Sequence, residues 1–125
     1  MHEAAMAERI LEISLRVSED NGNHPVRRVF VHIGELQAVV PEALESAFNA
    51  GKRGTAAGSA ELDWETIAAR VRCDSCSLEY APDDVFWICP ECGCPGGEAL
   101  SGNELTVMEV ELASVEGEEQ EGETQ

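Results

Sequence analysis

Basic residues are scarce in this 125-residue chain: eight Lys and Arg stand against 25 Asp and Glu, for a formal net charge of −17. The eight are scattered, so the basic stripe that a phosphate backbone requires is missing, and the carboxylate excess repels such a backbone. Aromatic residues are few as well, with two Trp, one Tyr and three Phe, and they form no groove for bases to stack in. No nucleic-acid partner is expected. Long apolar runs are also missing. Met1-His2-Glu3 opens directly into an amphipathic segment, with nothing to direct export or span a bilayer. No membrane partner is expected, and the expected location is cytoplasmic, a reducing compartment where disulfides rarely persist.

Cysteine is present, and in a pattern. Cys73-Asp74-Ser75-Cys76 and Cys89-Pro90-Glu91-Cys92 are separated by twelve residues, a spacing that suits one tetrahedral zinc(II). Each pair forms a tight knuckle whose thiolates point into one space, and the segment between folds back as a short ribbon. Two disulfides or a redox dithiol are the competing readings, and a reducing compartment argues against both. Four thiolates leave no coordination position open to water or substrate, so the zinc is expected to be structural. Pro90 and Gly93 sharpen the second knuckle, the glycine by permitting a positive φ. Ser77 stands where a glycine would ease the first. Cys94 has no obvious partner and reads as a spare thiol rather than an alternative ligand.

From Ala4 to about Asp20, Met6, Ile10, Ile13 and Val17 recur at intervals of four, three and four, on one helical face. Asn21-Gly22-Asn23 stops this helix, and Pro25 prevents its resumption. Val26 to Leu36 reads as a strand in which Val29, Val31 and Ile33 alternate with Arg28, Phe30 and His32, with Gly34 bending its end. Pro41 belongs to the first turn of a second helix, with Leu44, Ala47 and Phe48 inward and Gly51 as its stop. A second strand covers Ala60 to Arg72, where Leu62 and Trp64 alternate with acidic residues. A third covers Glu104 to Ala113, where Thr106, Met108, Val110 and Leu112 oppose Glu109 and Glu111. The expected fold is α/β: a small three-stranded sheet with two helices on one face, plus an inserted four-cysteine zinc-ribbon module. Residues 1–72 and 101–113 form the α/β domain, 73–100 the zinc-binding domain, and 114–125 a disordered acidic tail with nothing to bury.

Met1-His2-Glu3, Ile33-Gly34-Glu35-Leu36, Val40-Pro41-Glu42-Ala43-Leu44, Gly54-Thr55, the Ala60-Glu61-Leu62 strand start and both knuckles occur together between residue 1 and about residue 113. In that combination the chain resembles the hydrogenase nickel-incorporation metallochaperones of the HypA/HybF type. A Met-His-Glu start joined to a four-cysteine loop is the specific part. The resemblance implies a metallochaperone rather than an enzyme. Such a protein binds nickel(II) in its α/β domain, through the N-terminus, and delivers it to the large subunit precursor of a nickel-iron hydrogenase, with the GTPase HypB as partner. Ser77, Cys94 and the long acidic tail depart from the family pattern.

The first three residues suit nickel(II) on their own chemistry. The Met1 amine, the deprotonated His2 amide nitrogen and the imidazole nitrogen nearer the backbone form fused chelate rings. The Glu3 amide or carboxylate supplies a fourth donor, giving the square-planar or tetragonal field that nickel(II) or copper(II) favours. A bulky second residue hinders methionine removal, so the amine belongs to Met1. A site exposed at a terminus can be reached by a competing ligand, whereas four buried thiolates would hold their ion too slowly for transfer. His32 reads as structural, His24 as a solvated loop residue, and Glu8 and Glu12 as a solvated helix face. The alternative is a zinc-ribbon adaptor without nickel transfer; a zinc hydrolase would require an open coordination site.

Overall fold

A computed structural model describes residues 3–82 and 87–113; Met1, His2 and the acidic tail at 114–125 lie outside the described residues. The elements run α1 (Glu3–Asp20), β1 (Val26–Gly34), a single 3-10 turn (Glu35–Gln37), α2 (Pro41–Lys52), β2 (Glu61–Ile67), β3 (Arg70–Arg72), β4 (Glu79–Tyr80), β5 (Glu98–Ser101) and β6 (Leu105–Leu112). They form two three-stranded sheets, ordered β2-β1-β6 and β4-β3-β5. The expected α/β class with its inserted ribbon is what the chain adopts. The described residues fall into two compact units, one of residues 3–31, 39–65 and 106–113, the other of residues 32–38 and 66–105.

In the first unit α1 buries Met6, Ala7, Ile10 and Leu11, then Ser14 and Ser18. Ile13 and Val17, expected on this face, are only half-buried. Serine serves at core positions here because each hydroxyl finds a nearby acceptor. Ser14 Oγ donates to the Ile10 carbonyl at 2.8 Å, and Ser18 Oγ to the His24 carbonyl at 2.7 Å. Without such partners, burial of each hydroxyl would cost about 1–3 kcal/mol. The helix ends where expected: the Asn21 and Asn23 amides both return to the Ser18 carbonyl, at 3.1 and 2.7 Å, satisfying a terminal acceptor. His24 is half-buried rather than solvated, and its Nδ1 is enclosed without a hydrogen-bond partner among the described residues.

Val29, Val31 and Ile33 of β1 are buried in the alternation expected of them. Val40 is the N-cap of α2 and Pro41 occupies its first turn, where a missing N–H costs nothing; Leu44 and Phe48 face the core. Gly51 is not the stop. The helix runs through it to Lys52, and the residue is small because α1 passes close by: a Cβ there would lie 2.9 Å from Leu11 Cδ1. The Gly54-Thr55 turn is closed by Thr55 Oγ1, which donates to the Lys52 carbonyl at 2.6 Å and accepts from the Ala57 amide at 3.0 Å. Along β6 the half-buried residues are Leu105, Val107, Val110 and Leu112. Met108, expected inward, is 47% exposed.

The second strand, expected to be continuous from Ala60 to Arg72, is broken at Ala68-Ala69, and β3 belongs to the second sheet. The break is held by groups distant in sequence. In the second unit Glu35 Oε1 accepts the Ala69 amide at 2.8 Å, and Ser101 Oγ donates to the Ala68 carbonyl at 2.8 Å. The Gly34 amide donates to the Glu104 carbonyl at 2.8 Å and the Leu36 amide to the Gly102 carbonyl at 2.7 Å. Ile33-Gly34-Glu35-Leu36 therefore clamps the two strands that lead into and out of the cysteine ribbon. Gly34 permits this because a Cβ there would overlap the Gly102 carbonyl, and backbone on backbone cannot yield. Gly34→Ala is expected to cost about 3 kcal/mol, measured as a lower urea midpoint with an unchanged slope.

Candidate metal centres

Beyond β3 the chain makes two equivalent turns. The Ser77 amide donates to the Cys73 carbonyl at 3.0 Å, and the Gly93 amide to the Cys89 carbonyl at 2.9 Å. The residue closing each turn is left-handed, Ser77 at φ 65° and Gly93 at φ 75°, so serine accepts the conformation that glycine was expected to provide. The equivalence extends one residue further. The Cys73 amide donates to the Leu78 carbonyl at 2.8 Å, and the Cys89 amide to the Cys94 carbonyl at 3.0 Å. Leu78, Trp87 and Cys94 pack against the buried cluster of Val71, Cys73, Tyr80 and Cys89. Cys94 thus occupies the counterpart of Leu78, as a small apolar packing residue.

The Sγ atoms of Cys73, Cys76, Cys89 and Cys92 all lie within 4.8 Å of one another. Cys73 and Cys92 are 3.6 Å apart, and Cys76 and Cys89 3.5 Å. A tetrahedral zinc with bonds of about 2.3 Å would set its sulfurs about 3.8 Å apart, so the cluster has the dimensions of that ion. The four residues are not equally exposed. Cys73 and Cys89 are 2% and 1% exposed, whereas Cys76 and Cys92 face solvent.

Each enclosed sulfur is aimed at by amides of its own knuckle, in the arrangement that favours a thiolate. The Cys76 amide, then that of Ser75, lowers the Cys73 thiol to about 7, and the Ser75 nitrogen lies 3.4 Å from Cys73 Sγ. The Cys92 amide likewise lowers Cys89. At Cys92 the pull of the Cys94 amide is outweighed by the Cys73 sulfur and by burial, which push the thiol up to about 12. At Cys76 the Leu78 amide is outweighed by the Cys89 sulfur and by burial, and the thiol is raised. A divalent cation relieves this crowding by drawing all four sulfurs into the deprotonated form.

Of the N-terminal candidates, Met1 and His2 lie outside the described residues. Glu3 opens α1, and its Oε2 accepts the Val40 amide at 2.9 Å. Periodicity could not point to Val40, since a backbone N–H carries no residue signature. Glu12 sits 3.7 Å from Arg9 and 4.0 Å from Arg16, an exposed ion-paired face as expected. His32 is half-buried in mid-strand. Among the described residues the four cysteines form the one group with metal-ligating geometry, and no helix is long and apolar enough to cross a membrane.

Residues 1–112 match the family described as hydrogenase/urease nickel incorporation, metallochaperone, hypA. The chain is 38% identical over 112 residues to the hydrogenase maturation factor HypA of Geotalea uraniireducens, covering 90% of this chain and 99% of the relative. It is 33% identical to that of Aquifex aeolicus, covering 90% and 97%. The solution structure of the Ni metallochaperone HypA from Helicobacter pylori matches with a TM-score of 0.66 at 24% identity, covering 91% of this chain and 99% of that one. That likeness establishes the fold, and the sequence matches establish more. The chain belongs to the HypA family of nickel-incorporation metallochaperones, the hydrogenase maturation factors.

Proposed function

We propose that this chain binds nickel(II) at Met1-His2-Glu3 and delivers it to the maturing large subunit of a nickel-iron hydrogenase, while zinc(II) held by Cys73, Cys76, Cys89 and Cys92 keeps the ribbon folded. The observation that carries this reading is the family match, which runs from residue 1 and so includes the Met-His-Glu start. The α/β domain, residues 1–72 and 101–113, is then the nickel-binding part, and residues 73–100 are the zinc-binding part. Partners are the GTPase HypB and the large subunit precursor, in the cytoplasm, and the chain itself catalyses nothing.

The two donor sets suit different tasks. Four thiolates complete a tetrahedron, so zinc there has no position for an incoming ligand and supplies folding energy rather than reactivity. Slow exchange there rests on the closed coordination shell. A chelate at a chain terminus can instead be taken apart one donor at a time by a client's own ligands. His2→Ala tests the separation. Loss of even an outer-shell partner typically weakens a metal site by about 10–100-fold, so loss of a ligand is expected to weaken nickel binding by at least about 100-fold. Zinc content and thermal stability should stay at wild-type values. Nickel titration indistinguishable from wild type would remove the N-terminal site.

A further inference from the structure

A groove of about 900 Å³ runs between α1 and α2, with Ala4, Ala5, Glu8 and Leu15 on one side and Ala47 and Ala50 on the other. The two helices start together, where Glu3 bonds the Val40 amide, and Leu11 meets Gly51 near the end of α2, so they run in the same direction. The alanines, and Gly51 beside them, carry nothing longer than a methyl group. Small side chains let a third element approach both backbones closely. From Ala4 to Leu15 α1 rises about 16 Å, the length of about three helical turns.

Charge narrows what fits there. Glu8 is exposed at the groove and makes no ion pair among the described residues. The cation next to it, Arg9, lies 3.7 Å from Glu12, which Arg16 also reaches at 4.0 Å, so both arginines are matched to that one carboxylate and Glu8 is left over. A second copy of the chain would bring a further −17 of charge to this surface, whereas a cationic segment is drawn to it. A small-molecule site would need polar groups converging on one point. Here the polar groups are charged side chains of α1, and the rest of the groove is an apolar strip.

We propose that the groove between α1 and α2 is a docking site for a basic amphipathic helix of a partner protein, about three turns long, with its apolar stripe on the alanine and leucine floor and a lysine or arginine facing Glu8. Apolar residues at i, i+4 and i+7 of such a helix reach one groove. The proposal rests on α1 and α2 alone and on neither metal.

The test titrates the full chain, by calorimetry and by amide shifts, with a helical peptide of about 14 residues that carries leucines at i, i+4, i+7 and i+11 and lysines on their flanks. A peptide with glutamate for every lysine and one of the same composition in scrambled order are the controls. The lysine peptide is expected to bind with a dissociation constant on the order of 10–100 μM, as a small transient interface does. Each control should bind at least about tenfold more weakly. Shifts should centre on residues 4–15 and 47–51. Glu8→Lys and Ala50→Gln should each weaken the lysine peptide about tenfold, the first by reversing the rim charge and the second by filling the floor. Glu19→Lys, an equal change of charge on α1 away from the groove, should stay within about threefold of wild type. Glu8, Glu19 and Ala50 are exposed, so the variants should keep the wild-type thermal midpoint.

Equal losses in Glu8→Lys and Glu19→Lys, or a scrambled peptide that binds as well, would mean general attraction to an acidic surface and overturn the inference. Shifts centred outside α1 and α2, or no binding of the lysine peptide at about 1 mM, would overturn it too. If the chain alone dimerises at tens of micromolar by sedimentation and Ala50→Gln returns it to a monomer, the occupant is a second copy and the basic partner is wrong. Should Ala50→Gln fail to fold, the contrast between Glu8→Lys and Glu19→Lys decides alone.

Discussion

Adding Gly-Ser ahead of Met1 is expected to abolish tight nickel binding and leave zinc content and fold unchanged. The extension alters no side chain. It converts the Met1 amine into an amide and moves the new amine two residues away from His2, so the fused rings cannot close. The same donors set a pH dependence whose sign is fixed. Nickel must displace protons from an amine of pKa about 7.7–8.0 and an imidazole of about 6.5, so affinity weakens as pH falls through those values. Below its pKa, each such group weakens binding about tenfold per pH unit. Calorimetry on native and extended proteins at neutral pH and near pH 6 checks both halves. Equal nickel affinity in the extended protein would overturn the N-terminal reading whatever happened at the cysteines.

The other large effect belongs to the cysteine cluster. Changing any of Cys73, Cys76, Cys89 or Cys92 to Ala should empty the zinc site and disorder the ribbon, while Cys94→Ala should retain zinc. Among the described residues the ribbon's fully buried cluster is Val71, Cys73, Tyr80 and Cys89, with Leu78, Trp87 and Cys94 packed against it, and two of the buried four are proposed ligands. Apolar burial of Val71 and Tyr80 contributes about 1.5–3 kcal/mol each, against about 10–16 kcal/mol for zinc in small metal-folded modules. Metal analysis and amide spectra of residues 70–101 would read the result. Zinc retained by Cys92→Ala and lost by Cys94→Ala would show that the fourth ligand had been misassigned.

Several signals local in the chain were legible. The alternation of Val29, Val31 and Ile33, the Asn21-Gly22-Asn23 stop, the first-turn Pro41 and the paired cysteines each depend on residues a few positions apart, and all appear as expected. Within β6 the half-buried positions shift phase between Val107 and Val110 and leave Met108 exposed, and most of what else escaped depended on distant partners or on short elements. Ala68-Ala69 looks like more strand until Glu35 is seen to hold the Ala69 amide. Gly51 looks like a stop until Leu11 is seen against it. Ser14 and Ser18 are invisible to apolar periodicity, because their burial depends on hydrogen bonds rather than hydropathy. The strands β4 and β5 have two and four residues, too few for alternation to declare itself. Cys94 could have been placed, since Cys73-Asp74-Ser75-Cys76-Ser77-Leu78 and Cys89-Pro90-Glu91-Cys92-Gly93-Cys94 repeat one six-residue frame.

The order of strands in the larger sheet bears on how the chain comes together during synthesis. β1 lies in the middle of that sheet, yet one of its neighbours, β6, is the last strand in the sequence. Until residues 105–112 have left the ribosome, β1 keeps one edge unpaired, open to the wrong strand. Closing so long a loop is slow, because the entropy of bringing distant segments together is lost before their contacts form. The cysteine ribbon is made first and lies within that loop. Once a metal cross-links Cys73 to Cys92, the free chain between β2 and β6 is shortened, and β6 is delivered close to the edge it must cover. Zinc held by the ribbon would then act on the assembly of the larger sheet by reducing the distance in chain that its final strand has to search.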